Sequence, residues 1–363
     1  MPRVLHVAQP TDGGVGRYVA DIIPRQLAAG WDVHLACPPG QLTNALRATE
    51  ATVHSWAAER SVGVHVLMES RRLAGVVRRA RPHVVHLHSA KAGLAGRLTV
   101  RGRLPTVYQP HGWSYDANSG LMRRLTVAWE RTALRWCNVV VCVSTGERAS
   151  GLNERLRLSD CCAVVPNGVD LAAFHSLERA QARHFLGLDE GPLAVCVGRL
   201  SQQKGQGVLV EAWPLVREQL PHARLALVGD GPSRRELVAA AGAGICFVGV
   251  VPDPNPWYSA ANVVVLPSRW GEGMALVPLE AMACRRSVIV TDVVGMREAL
   301  PPESGAIVRP QDPVALAAAV VARLVDPALA EREGWINRRH VEAHHDADLT
   351  AARVAELYVS LLN

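Results

Sequence analysis

Residues 3–39, RVLHVAQPTDGGVGRYVADIIPRQLAAGWDVHLACPP, decide how the rest of the chain is read. The segment opens on a short apolar run, RVLHVAQ (3–9), of strand length. A turn, PTDGGVG (10–16), follows, and residues from about 17 to 29 carry apolar side chains at helical spacing. Gly30 stands where it can cap that helix, and WDVHLACPP (31–39) is the next strand. Strand, glycine turn, helix and strand in succession are the repeating unit of a parallel α/β sheet.

The rhythm continues outward from there. MESRRLAGVVRRARP (68–82) reads as a basic helix ahead of the strand HVVHLH (83–88). KAGLAGRLTV (91–100) is a helix ahead of PTVYQPHG (105–112), and a helix around 121–136 leads to NVVVCVS (138–144). VVPNGVDLAAFHS (164–176), with its Pro, Asn and Gly turn signals, interrupts the pattern. Beyond it the strands PLAVCVGRL, ARLALVGDG, GICFVGVV, ANVVVLPS and SVIVTD alternate with helices again, and helices near 313–325 and 347–362 close the chain. The expected fold class is α/β, with two doubly wound parallel-sheet domains of Rossmann type facing a cleft. The expected boundaries are 1–166 and 167–346, with the last helix, about 347–363, free to pack back on the N-terminal domain.

Composition narrows the function classes. The 363 residues are 49% hydrophobic and 20% charged, ample for two cores and too apolar for a disordered chain. No 18-residue apolar run is free of charge, and the N-terminal segment lacks the apolar stretch of a secretory signal. A cytoplasmic protein is expected, with the inner face of the membrane as a further possibility for its place of action. Eight cysteines are scattered without a CxxC pair, mostly in apolar runs, and read as small core fillers. The net charge of +6 is uneven: 21 Lys and Arg against 11 Asp and Glu up to residue 166, and 18 against 22 after it. A basic half attracts phosphate, anionic lipid or nucleic acid, but the arginines are not interleaved with aromatics and no nucleic-acid module stands out. Lysine occurs only at Lys91 and Lys204, against 37 arginines.

In doubly wound sheets ligands bind beyond the C-terminal ends of the strands, so the loops there matter most. In residues 12–16 Gly13 and Gly14 let a phosphate approach the backbone at a helix start. In 197–205 Arg199 and Lys204, five residues apart, can reach one diphosphate. LVGDGP (227–232) is a turn. In 267–280 Glu272 and Glu280 are separated by seven residues, and the helix opens between them at 273–276. A carboxylate in so apolar a stretch needs a partner, and sugar or ribose hydroxyls can donate to it.

Taken together, GGVGRY, HLHSAKAGLAGR, PHGW, VVPNGVD, VGRLSQQKG, LVGDGP, LPSRWGEGMALVPLEAMA and TDVVGMREAL resemble, in order and over nearly the whole chain, the retaining nucleotide-sugar glycosyltransferases of family 4 with the GT-B fold. The resemblance implies that Arg199 and Lys204 hold the donor diphosphate and that Glu280 binds the ribose hydroxyls. It places Glu272 at the donor sugar ring, the amides of Met274, Ala275 and Leu276 at phosphate or sugar, and Gly13 and Gly14 over the diphosphate from the other domain. His111 matches a histidine near the transferred sugar. The implied donor is a nucleotide-diphosphate sugar, with UDP the commonest base, used as co-substrate with no separate cofactor and no metal. Transfer is implied to be front-side, with retention and without a protein nucleophile. The chain departs from the family pattern at Gly271, an extra residue before Glu272, at Arg285 and Ser287 in place of Gly and Pro, and at Ala261-Asn262-Val263. The single DxD, Asp346-Ala347-Asp348, stands before a helix and reads as capping. His88, Lys91 and Trp113, after strand ends, are expected on the acceptor side, with packing as the alternative for Trp113. A nucleotide-sugar epimerase of the same fold and a basic membrane-surface protein remain competing readings. The RRLAGVVRRAR helix supports the second of these, and only reversible, salt-sensitive lipid contact is expected of it.

Overall fold

A computed structural model describes residues 1–59, 63, 65–159 and 161–363. The chain begins with β1 (Arg3–Ala8), α1 (Gly13–Ala28), β2 (Asp32–Cys37), α2 (Gln41–Ala45), β3 (Thr52–Ser55) and α3 (Val66–Ala80). It continues through β4 (Val84–His88), α4 (Ser89–Val100), β5 (Thr106–Gln109), α5 (Gly120–Ala133), β6 (Val139–Cys142), α6 (Thr145–Asn153) and β7 (Cys162–Val164). A second run follows: α7 (Arg179–Leu186), β8 (Leu193–Val197), α8 (Gln206–Gln219), β9 (Arg224–Val228), α9 (Arg234–Ala240), β10 (Ile245–Gly249), α10 (Asn255–Ala260) and β11 (Val263–Leu266). Then come α11 (Leu276–Ala283), β12 (Ser287–Thr291), α12 (Met296–Ala299), β13 (Gly305–Val308), α13 (Pro313–Val325), α14 (Pro327–His344) and α15 (Ala347–Leu362).

These elements form two compact units, Met1–Asn167 with Ala347–Asn363, and Gly168–Asp346. The division falls one residue after the expected one, and α15 belongs to the first unit. There Tyr358 of α15 meets Trp31 edge-on, with ring centroids 5.3 Å apart. Asp348, at the start of α15, accepts from Arg25 Nε of α1 at 2.5 Å.

The first unit is built on a parallel seven-stranded sheet in the order β3-β2-β1-β4-β5-β6-β7. Its inner strands β1, β2, β4, β5 and β6 are largely buried on both faces and accordingly read as mostly apolar runs. Leu5, Val7, Val85, Leu87 and Tyr108 of the sheet pack with Leu73 and Val76 of α3. A buried, bidentate Arg97–Glu130 pair, at 2.6 and 2.9 Å, ties α4 to α5, and Tyr108 lies against the same guanidinium at 4.0 Å. The second unit carries a parallel six-stranded sheet in the order β10-β9-β8-β11-β12-β13. Ala194, Leu225, Leu227, Val265 and Ile289 of that sheet face Leu209, Trp213 and Val216 of α8 and Leu316 and Val320 of α13. Arg323 of α13 pairs with Glu333 of α14 at 2.7 Å, both buried.

Strand order reverses between β1 and β4 in one sheet and between β8 and β11 in the other. At such points the loops that leave adjacent strands diverge and open a crevice. The loops after β1, β4, β8 and β11 carry most of the candidate residues. Among the described residues, no single helix is long and apolar enough to cross a membrane. Cys37, Cys142, Cys196 and Cys284 are buried as expected, whereas Cys246, on the edge strand β10, is exposed.

Candidate active site

In the second unit the loops after β8 and β11 are stitched together. Arg269 N donates to Gln203 O at 2.8 Å, and Gln203 Nε2 donates to Gly271 O at 2.7 Å. These bonds bring Lys204 and Glu272 together, with Nζ 2.6 Å from Oε2. The other carboxylate oxygen of Glu272 accepts from Ser268 Oγ at 2.5 Å, and Thr291 donates to the carbonyl of Ser268. Glu272's side chain is only 6% exposed, so its charge needs these two donors. Arg199 projects from the same loop as an exposed side chain, while its carbonyl accepts from Gln206 Nε2 at 3.1 Å.

Met274, Ala275 and Leu276 are buried where α11 begins, and Glu280 stands one turn inside it. Its Oε2 accepts from the hydroxyl of Tyr258, on α10, at 2.6 Å. The loop after β12 closes over the start of this segment. Gly295 has φ 84, and a Cβ there would fall 1.2 Å from Gly273 O, so no other residue fits without moving the backbone. The second unit therefore brings Lys204, Glu272 and Ser268 together, and fixes Glu280 through Tyr258. Tyr258, Ser268 and Gln203 were not singled out from the sequence. Ser268 lies four residues before Glu272 in a motif that was read for its acids, and Tyr258 sits in a short helix with no motif of its own.

In the first unit Gly13 and Gly14 are exposed at the start of α1, and a Cβ at either position would meet nothing within 4 Å. The sterically required glycine of this turn is Gly16, where a Cβ would lie 2.6 Å from Thr11 O. His111, after β5, has a left-handed backbone, φ 55. Its Nε2 lies 3.2 Å from His88 Nδ1, and Tyr18 packs edge-on against its ring at 4.8 Å. Burial lowers the pKa of His111 from 6.5 to about 3, so the ring is neutral. The next residue, Gly112, donates its N–H to Glu147 Oε1 at 2.5 Å, and Val143 N donates to Oε2 at 2.6 Å. Glu147 thus anchors the His111 loop, and burial raises its pKa from 4.5 to about 7.

The three residues expected on the acceptor side are interior instead. His88 is fully buried between His6 and His111. Lys91, 3% exposed, is held in a buried ion pair with Glu69 of α3 at 2.6 Å. Trp113 is buried, donates Nε1 to Glu147 O at 2.7 Å and stacks on Tyr115. Each follows a strand end, as the reading required, but its side chain turns inward because a core partner satisfies it. His6, His86 and His88 form a group whose ring nitrogens lie within 4.8 Å of one another, close enough to suit a metal ion. All three are buried, and no carboxylate belongs to the group.

Comparison with known proteins bears on the family and the fold. Residues 12–173 match the family described as Glycosyltransferase Family 4, and residues 191–326 match the family described as Glycosyl transferases group 1. The chain is 37% identical over 214 residues to the lipopolysaccharide core biosynthesis mannosyltransferase LpcC of Rhizobium leguminosarum bv. viciae. That match covers 55% of this chain and 60% of the relative, so it spans about three fifths of the relative's length. Against the alpha-maltose-1-phosphate synthase of Mycobacterium tuberculosis the identity is 28% over 382 aligned residues, 95% of each chain. Among solved structures, the sucrose-phosphate synthase of Thermosynechococcus elongatus superposes with a TM-score of 0.84, at 24% identity and 99% coverage of both chains. Anabaena HepE in complex with UDP and glucose superposes with a TM-score of 0.86, at 19% identity, over 99% of this chain and 100% of that one. With two parallel α/β units, the motif loops at their strand ends and family matches over both halves, the chain belongs to glycosyltransferase family 4 and has the GT-B fold.

Proposed function

We propose that the protein is a retaining, metal-independent hexosyltransferase. It moves a sugar from a nucleotide-diphosphate sugar, UDP-linked, to a hydroxyl of a saccharide, a lipid-linked acceptor or a small natural product. The observation that carries this reading is the Lys204–Glu272–Ser268 cluster beyond β8 and β11, with Glu280 a short way along α11. Breaking a glycosyl diphosphate bond builds negative charge on the leaving phosphate. An ammonium and an exposed guanidinium on one loop suit that charge, as do amides at a helix start. Lys204 offers three N–H donors and Glu272 engages one of them, which leaves capacity for phosphate. Both oxygens of Glu272 are already hydrogen-bonded, which favours a role in orienting a ring hydroxyl over attack on carbon. Glu280, with Tyr258 on one oxygen, suits the ribose hydroxyls. The complex of HepE with UDP and glucose supports the choice of UDP.

The acceptor is proposed to meet the basic first unit at the cytoplasmic face of the membrane, with reversible lipid contact. The test is release of free nucleotide from purified protein given UDP-, GDP- and ADP-sugars. Slow release from a UDP-sugar, lost in Lys204→Ala and Glu272→Gln, is expected. No release from any donor, with or without an acceptor panel, overturns the reading.

A further inference from the structure

β1 and β4 are neighbours, with His6 opposite His86 and Ala8 opposite His88. Period-two alternation puts His86 and His88 on one face of the sheet, and all three imidazoles are fully buried there. Burial pushes the pKa of His6 down to about 4, and those of His86 and His88 well below 6.5. A neutral imidazole has one N–H donor and one bare acceptor nitrogen, so each hydrogen bond in a chain of them dictates the next.

The chain starts at Gln26 of α1. Its Oε1 can only accept, and it lies 2.7 Å from His6 Nε2, so that nitrogen carries the proton. His6 Nδ1 is then bare, and it lies 2.9 Å from His88 Nε2, which must donate to it. His88 Nδ1 is bare in turn, and it accepts from His111 Nε2 at 3.2 Å. The amide of Gln26 is itself oriented. Its Nε2 donates to the hydroxyl of Tyr358 on α15 at 3.4 Å, and that hydroxyl lies 2.5 Å from His86 Nδ1.

We propose that Gln26, oriented by Tyr358, acts through His6 and His88 to hold His111 in its Nε2–H tautomer, leaving His111 Nδ1 as a hydrogen-bond acceptor for a sugar hydroxyl of a substrate. Gln26, Tyr358, His6 and His88 are positioning residues. The sugar contact rests on the proposed function, but the tautomer does not. One amide and two imidazoles, all buried, thereby determine which sugar hydroxyl geometry His111 can accept.

The test uses the full chain labelled with ring-¹⁵N histidine. Long-range ¹H–¹⁵N spectra near pH 7.5 distinguish the two tautomers directly, with signals assigned from His6→Asn and His111→Asn. Nε2–H patterns for His6, His88 and His111 are expected. In Tyr358→Phe and Gln26→Leu the His111 signal should move towards a mixture with the Nδ1–H form. Gln26→Glu, which keeps an acceptor at the same place, should preserve the wild-type pattern. Donor turnover in Gln26→Leu should fall about tenfold in kcat, the value of one hydrogen bond, with nucleotide affinity unchanged. Nδ1–H at His111 in the wild-type protein overturns the proposal even if neither Tyr358→Phe nor Gln26→Leu folds. So does an unchanged His111 pattern in both Tyr358→Phe and Gln26→Leu, or a stoichiometric metal ion released from the purified protein by acid and traced to His6, His86 and His88. Absence of any sugar-transfer activity would remove the assigned role of Nδ1 but would leave the tautomer result standing, so the two failures are separable.

Discussion

Lys204 and Glu272 show why a candidate pair has to be judged by what each would become alone. Glu272 is 6% exposed and Lys204 24%, so removing the cation strands a nearly buried carboxylate. Lys204→Ala should therefore lose stability, by about 1–3 kcal/mol, as well as at least about a hundredfold in donor turnover. Combining Lys204→Met with Glu272→Gln should recover most of the melting temperature and none of the turnover. Thermal unfolding beside nucleotide-release kinetics separates the two effects. Arg199 is exposed, and Arg199→Ala should lower turnover with the melting temperature unmoved. Lys91 marks the contrast. With Glu69 it forms an ion pair that is 3% and 2% exposed, and losing one partner of such a pair costs about 3–5 kcal/mol. Lys91→Ala should destabilise strongly, while turnover per folded molecule stays within about twofold, the scatter expected of a contact remote from the chemistry. Scarcity of lysine marked two positions in the sequence, and it could not say that one meets Glu272 in the loop after β11 and the other a buried glutamate on α3.

At the level of strands and helices, the elements that sequence patterning missed are the ones that bury least. β3 is largely exposed, and β3, β7 and β13 are outer strands of only three or four residues, too short to stand out. α14, the longest helix, was also missed. Its sequence, PALAEREGWINRRHVEAH, is polar, and its interior contacts run through Glu333, Gly334 and Asn337 as much as through Ala330 and Val341. Asn337 Nδ2 donates to the carbonyls of Arg286 and Ser304 at 2.8 Å each, so this helix docks by hydrogen bonds that no hydropathy pattern records. β1 and β4 raise a different point, because they bury His6, His86 and His88 with lowered pKa values. Unfolded, each takes up a proton below about 6.5, and folded, each resists until much lower. Their stabilisation is present above pH 6.5 and lost as pH falls, by about 1.4 kcal/mol per pH unit for each histidine. Glu147 runs the other way. Its raised pKa favours the fold at low pH, a contribution lost between about pH 4.5 and 7. Melting temperatures from pH 8 to 5 should fall steeply below pH 6.5, and Glu147→Gln should steepen the fall by removing the opposing term. A flat profile would mean that the histidines are charged in the folded protein. On α3 the arginines 71, 72, 78 and 79, and Arg81 just after it, are exposed, while Leu73 and Val76 face the core. Co-sedimentation with anionic vesicles should be weak and abolished by high salt, on the scale of about 1 kcal/mol per exposed charge. α5 exposes Leu121, Met122 and Leu125 beside Arg124, so binding that survives salt would direct attention there.

For the chain as a whole, ligand linkage gives the broadest test. A nucleotide that binds only the folded protein stabilises it by about 2.7 kcal/mol at a hundred times its dissociation constant. UDP should raise the melting temperature more than GDP or ADP at equal concentration, and EDTA should change neither the shift nor the turnover. A strict manganese requirement would overturn the metal-free reading and return attention to Asp346 and Asp348. The product of an α-linked donor should be α-linked, and proton NMR of the anomeric signal reads this directly.

Two parallel sheets, their division close to residue 167 and the places where loops leave the strand ends were all readable in one dimension. Hydrophobic runs of strand length separated by amphipathic helices leave little choice of architecture, and glycine turns mark where the chain must bend tightly. Arg199, Lys204, Glu272 and Glu280 could be picked out because strand-end loops can be located without knowing which way a side chain points. Direction and pairing could not be read in this way. Whether His88 faces a ligand or His6, and whether Lys91 meets an acceptor or Glu69, depends on which strands and helices become neighbours. So do the hydroxyl of Tyr258 on Glu280 and that of Tyr358 beside Gln26, 332 residues away along the chain. A buried polar group is satisfied by whatever the fold sets within about 3 Å of it, and that distance exists only once the sheets are packed.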